Sequence, residues 1–172
     1  MAGSLVLLDS VTASNSATVS LGASNWDSSY DVYMVEYNNV VADTDAQYFR
    51  IRVLKSSSAD TTSNYDRAYK KLESSTSFAN RAGSNLAYWY TEELGTSTQE
   101  QNNGILYLFN FNNSSEYSFI TVEESTLNSG GTLTGRQGGG VHTVASASNG
   151  IQFYMASGNI ASGEFKLYGL KK

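Results

Sequence analysis

Apolar side chains in this chain recur in short runs of roughly four to eight residues, set apart by clusters of Ser, Asn, Gly and Asp. No stretch carries the 3.6-residue period of an amphipathic helix. A chain patterned this way is built of strands, and strands with one apolar face must cover it with a second sheet or close on themselves. Residues 30–41 alternate most cleanly, with Val32 and Met34 on one face and Tyr33, Val35 and Tyr37 on the other. Both faces are substantially apolar, which places this strand in the middle of a sandwich or at a subunit contact. Residues 48–54 repeat the pattern, with Phe49, Ile51 and Val53 inward and Tyr48, Arg50 and Arg52 outward, after a turn at residues 43–46.

Residues 104–110 and 117–123 form the clearest hairpin: Ile105, Tyr107, Phe109 and Phe111 share a face, and Tyr117, Phe119 and Thr121 alternate across the turn. Residues 5–11 and 18–21 read as a hairpin or an edge pair. Residues 85–90, 141–144, 151–155 and 164–170 read as further strands, and 65–72 as a looser one. Residues 128–140 are the most glycine-dense segment, where glycine permits positive φ, close backbone approach or mobility. The expectation is an all-β chain: an antiparallel two-sheet jelly-roll-like β-sandwich of roughly nine or ten strands, with residues 1–172 as a single domain. The uneven spacing does not suit propeller blades or a β-helix.

The residues that carry most enzyme chemistry are scarce. There is no cysteine, so disulfides, thiolate nucleophiles and Cys-based zinc sites are excluded, and the one histidine, His142, cannot close a metal shell alone. No G-x-S-x-G elbow presents a serine to that histidine, which reads as an ordinary strand-edge residue. The carboxylate doublets Glu92-Glu93 and Glu123-Glu124, with Glu116, lie near aromatic residues. Neighbours on a strand point to opposite faces, so each doublet offers one carboxylate to a given cleft, and a glycosidase would rest on Glu93 or Glu123. Asp27, Asp31, Asp43 and Asp45 read as turn caps, in the absence of a calcium-loop spacing. The expectation is a non-enzyme with no cofactor and no metal.

A net charge of −5 argues against nucleic acid, since counterion release needs clustered Lys and Arg. The nearest cluster, Arg67, Lys70 and Lys71, reads as a solvated strand or turn. The apolar run 5–8 is too short for a signal peptide or a membrane span, so synthesis in a cytoplasm without membrane insertion is expected. The chain also holds no proline, for which there is no physical account.

Aromatic residues are in surplus, with twelve Tyr and seven Phe beside the two Trp. Trp26, Tyr33, Tyr37, Trp89 and Tyr90 are the candidates for stacking on a glycan or filling a subunit interface, with Tyr48 and Tyr69 in the same surplus.

The closing stretch from Asn149 to Phe153 and on through Ser157-Gly158-Asn159-Ile160 to Phe165-Lys166-Leu167-Tyr168-Gly169-Leu170 resembles the ending of small virion proteins of tailed bacteriophages, especially marine ones. In that group an FxxxSGNIxxGxFxLYGL ending closes a β-sandwich. Leu7-Leu8-Asp9, Val19-Ser20-Leu21 and the run from Trp26 to Tyr33 are similar to the same group. The resemblance implies a virion location and a capsid decoration, head-fibre or tail-fibre role, in contact with other virion proteins. It carries over no catalytic residue. A homo-oligomer, with trimer as the first guess, and a host-surface glycan as a possible second partner complete the expectation. The alternative is a carbohydrate-binding module of receptor-binding type.

Overall fold

The computed structural model describes residues 4–171. Thirteen strands follow one another: β1 Ser4–Ser16, β2 Val19–Gly22, β3 Val32–Ala42, β4 Gln47–Lys55, β5 Ser58–Ala59, β6 Tyr65–Glu73, β7 Phe78–Leu86, β8 Trp89–Leu94, β9 Asn102–Phe109, β10 Ser118–Leu127, β11 Leu133–His142, β12 Gly150–Met155 and β13 Ile160–Lys171. A single 3-10 turn at Ala23–Asn25 is the one helical element among the described residues. The strands form two antiparallel sheets. The larger has eight strands in the order β1-β13-β3-β9-β10-β11-β6-β7, and the smaller runs β2-β12-β4-β5 with β8 also paired to β4.

The clean alternation of the sequence lies at the centre of this arrangement. Strand β3 sits between β13 and β9, with Tyr33, Val35 and Tyr37 completely buried between the sheets. On its outer side Met34 is covered by its register neighbours Tyr107 and Tyr168. Phe49, Ile51 and Val53 of β4 point inward as their spacing predicts. Phe49 stacks on Phe153 with centroids 5.4 Å apart, and Phe165 closes on Phe153 at 5.1 Å. Each such side chain contributes about 1.5–3 kcal/mol on burial, and each aromatic pair about 0.5–1.5 kcal/mol more.

Thirteen strands stand where nine or ten were expected, and the excess has physical causes. Strand β5 is two residues long. Strand β7 is an edge strand whose polar side chains give no alternating signal. Residues 85–90 are not one strand: β7 ends at Leu86 and β8 begins at Trp89 in the other sheet, with Asn85 at φ 55 before the crossing. The glycine-dense segment runs into β11, an internal strand between β10 and β6, and Val141 and His142 end that strand rather than beginning a separate one at 141–144. Its glycines serve close approach, since a Cβ at Gly140 would lie 2.5 Å from the Trp89 indole nitrogen.

Two further expectations change. Strands β1 and β2 do not pair with each other; β1 runs along β13 and β2 along β12, so the chain changes sheet between them. The β9–β10 hairpin forms with Phe109 opposite Phe119, but its apolar set is split. Ile105 and Tyr107 face outward, whereas Asn110 at φ 61 breaks the alternation and Phe111 is fully buried.

Candidate functional site

The inner face of the large sheet changes character from one side to the other. One cross-strand row reads Tyr37, Gly104, Glu124, Arg136, Lys71, taken from β3, β9, β10, β11 and β6 in turn. A Cβ at Gly104 would overlap the Tyr37 hydroxyl. The glycine therefore lets the phenol cross β9 and donate to Glu124 Oε2 at 2.8 Å. Burial, then the charge of Glu124, pushes the Tyr37 phenol well above its ordinary range and keeps it a donor.

Glu124 is a hub. It pairs with Arg136 Nη1 at 3.1 Å, and it accepts from Asn102 Nδ2 and the Glu92 backbone N–H. Arg136 Nη2 reaches Glu92 Oε2 at 3.1 Å, and Lys71 Nζ lies at the same distance from that oxygen and 2.7 Å from Glu73. Burial alone would lower the Lys71 ammonium, but its bonds to Glu73 and Glu92 outweigh it and hold the group above its ordinary value. Arg136 and Glu124 are 4% and 7% exposed, so this is an ion network inside the sandwich. Such networks need every partner, because removing one leaves a buried charge uncompensated.

Beside the network Arg67, also buried, forms no ion pair among the described residues. Its guanidinium lies 3.4 Å from the Tyr90 ring centroid and 4.7 Å from that of Tyr69, and Arg136 covers Tyr69 at 4.0 Å. Arg67 and Lys71 are therefore not the solvated residues that a basic cluster suggests. Lys70, on the opposite face of β6, is exposed as expected.

The network opens onto a polar cleft of about 170 Å³ between β8 and the β6–β7 hairpin. Tyr48, Tyr69 and Tyr90 supply its rings, and Lys71, Arg81, Glu92 and Glu93 its charges. Tyr48 meets Tyr90 edge-on at 5.2 Å. Glu92 and Glu93 both line this cleft, contrary to strict alternation. The β4–β8 ladder slips between Tyr48 opposite Glu93 and Arg50 opposite Tyr90, which adds a residue to β8 and turns both carboxylates the same way. Glu123, by contrast, points outward and accepts from Gln137.

The five aromatic candidates do not form a platform. Tyr33, Tyr37 and Trp89 are core residues, at 0%, 0% and 2% exposure, and have no surface to offer a sugar or a subunit. Alternation alone could not distinguish Tyr33 and Tyr37 from outward-facing rings because both sides of β3 are apolar, and Trp89 opens β8 rather than continuing a strand over 85–90. Trp26 is half-buried, stacked on Tyr33 at 3.9 Å, with its Nε1 donating to Asn112 Oδ1 at 2.8 Å. Tyr90 alone borders the cleft. Sequence reasoning missed Lys71, Arg81 and Glu92 as its partners. The period-two series Tyr65, Arg67, Tyr69, Lys71, Glu73 holds the signal, but its inward face is charged and reads as solvated.

His142 is fully buried at the end of β11, against the Tyr65 ring at 4.8 Å and 3.2 Å from Asp60 Oδ2. Burial, with the charge of Lys55, holds it below its ordinary value despite Asp60. It is a packed neutral side chain at pH 7. Among the described residues no group of three or more His, Asp or Glu side chains could hold a metal ion. No helix among them is long and apolar enough to cross a membrane. Comparison with protein-family models, curated proteins and solved structures returns no match to this chain.

Proposed function

We propose that this chain is a structural subunit of a bacteriophage virion, a capsid decoration, head-fibre or tail-fibre component that works by assembly with its own copies and with other virion proteins. The observation that carries the assembly reading is the outer face of the large sheet. Register places Leu7, Tyr168, Met34 and Tyr107 in one row across β1, β13, β3 and β9. Phe109, Phe119 and Val141 continue the neighbouring row across β9, β10 and β11. Leu5, Leu7, Ile105, Tyr107 and Phe119 are each more than a third exposed. An apolar band crossing several strands is an interaction surface rather than scattered exposure.

The virion location is supported by the resemblance of the closing segment. Phe153, Ile160, Phe165 and Leu167 of that segment are core residues, so the likeness bears on the fold and names no partner. A jelly-roll reading is supported by the strand order. Strands β1-β13-β3-β9 and β2-β12-β4-β8 follow the order of two facing four-stranded sheets in that topology, and β10-β11 and β6-β7 extend the first.

The test is copurification. The chain should be found in gradient-purified particles at a copy number matched to capsid or tail symmetry, and the isolated chain should sediment as a closed oligomer, a trimer being the first expectation. Absence from purified particles would overturn the virion reading. A monomer at all concentrations, bound to no particle protein, would overturn assembly.

A further inference from the structure

We propose that the cleft between β8 and the β6–β7 hairpin binds a single neutral hexopyranose ring, the terminal sugar of a glycan. The charges on its walls balance: Lys71 and Arg81 stand against Glu92 and Glu93. Glu92 is already engaged by Arg136 and Lys71, and Lys71 by Glu73 and Glu92. An incoming anion would meet carboxylates, and an incoming cation would meet an ammonium and a guanidinium. An apolar guest would strip water from Arg81 and Glu93 and give nothing back.

A neutral polyol suits all of these groups. Each sugar hydroxyl both donates and accepts, so one can give a hydrogen bond to Glu93 while another receives one from Arg81, which forms no ion pair among the described residues. The C–H face of a pyranose packs on an aromatic ring, and of the three tyrosines that border the space the exposed Tyr48 is the one whose ring carries no guanidinium among the described residues. The other two rings are already fixed as walls of the space, Tyr90 against Arg67 and Tyr69 against Arg67 and Arg136. Binding therefore immobilises few further rotors. The volume, about 170 Å³, is below the roughly 300–1,000 Å³ of pockets that enclose drug-sized ligands. One ring enters, and the remainder of a longer glycan stays in solvent.

The experiment uses the full chain, with saturation-transfer NMR and calorimetric titration against the methyl glycosides of glucose, galactose and mannose, and against glucuronic and sialic acids. At least one neutral glycoside should bind. Tyr48→Ala and Arg81→Ala, both at exposed positions, should each weaken it at least tenfold with the thermal midpoint unchanged. Phe119→Ala, on the outer face of the large sheet, should bind as the parent does. The proposal is overturned if no neutral glycoside binds, if both cleft variants bind undiminished, or if an acidic sugar binds more tightly. It is independent of the assembly reading. A particle subunit that binds no sugar would leave that reading standing, and a sugar-binding chain absent from particles would do the reverse.

Discussion

The two halves of the sandwich interior are filled by opposite means. Under β3, β9, β12 and β13 the sheets meet through Phe49, Phe153, Phe165, Leu106 and Leu108, all fully buried, in a core that needs only shape. Under β11, β6 and β8 they meet through Arg136, Glu124, Glu92 and Lys71, where every group depends on a named partner. The first half tolerates any apolar residue of suitable volume. The second tolerates almost no single change, yet it leaves polar groups at the surface where a ligand can reach them.

The largest effects should come from breaking each half in turn. Phe153→Ala should cost about 3–5 kcal/mol through lost burial and the cavity left behind. Arg136→Met should cost a similar amount, about 3–5 kcal/mol, because Glu124 loses its ion pair. The two differ in their rescue. Adding Glu124→Gln and Glu92→Gln to Arg136→Met should restore most of the loss in chemical denaturation, whereas no charge change elsewhere should restore Phe153→Ala. Failure of that rescue would mean that the polar half is held by packing after all.

Tyr37→Phe tests the seam between the halves, since its ring lies in the aromatic core and its hydroxyl on Glu124. Loss of a hydrogen bond to a charged group should cost about 1.5–3 kcal/mol. A smaller loss would mean that the halves are energetically separate.

Acid should act on the polar side first. His142 is held below its ordinary 6.5 by burial and by Lys55, so the folded state refuses a proton that the unfolded chain accepts. Its contribution is full above that value and falls as pH drops through it. Asp60 has a depressed carboxyl: burial pushes it up, but hydrogen bonds from Lys55 and Thr62 prevail. Its contribution is present above the ordinary 3.8 and is lost as pH falls below it. The thermal midpoint should therefore decline from pH 7 to pH 5 and more steeply below pH 4. His142→Asn should flatten the upper part of that decline and leave the lower part.

The smallest effect on stability belongs to the outer face. Phe119→Ser should lower unfolding free energy by about 1 kcal/mol, the loss of its cross-strand contacts with Phe109 and Val141. It should reduce self-association in sedimentation, if the apolar band is the assembly surface.

What the sequence revealed follows the same division. Strand β4 was legible because inward Phe49, Ile51 and Val53 alternate with Arg50 and Arg52, and β3 because its run of aromatic and β-branched residues is apolar on both faces, which marks a strand without saying which face is inward. Strands β6, β7 and β11 were obscure because their inward positions hold Arg67, Lys71, Arg136 and glycines, which a hydrophobic pattern assigns to water or to loops. For the candidate site, the rings of Tyr90, Tyr48 and Tyr69 were visible as an aromatic surplus. Their charged partners were not, since the cleft depends on a bulge in β8 and on two sheets meeting. No local pattern encodes either.

The pairing of β1 with β13 has a consequence in time. Ser4 lies opposite Lys171 and Ser16 opposite Ile160, so this ladder joins the two extremes of the described chain. During synthesis at about 5–20 residues per second, β1 waits on the order of ten seconds or more for its partner. For that interval Leu5, Leu7, Leu8 and Val11 have no sheet to join, and closing so long a loop is a slow step by its topology. Of the described strands β1 therefore stays unpaired longest, and whatever shields residues 5–11 until β13 emerges governs how much of the chain is folded rather than aggregated.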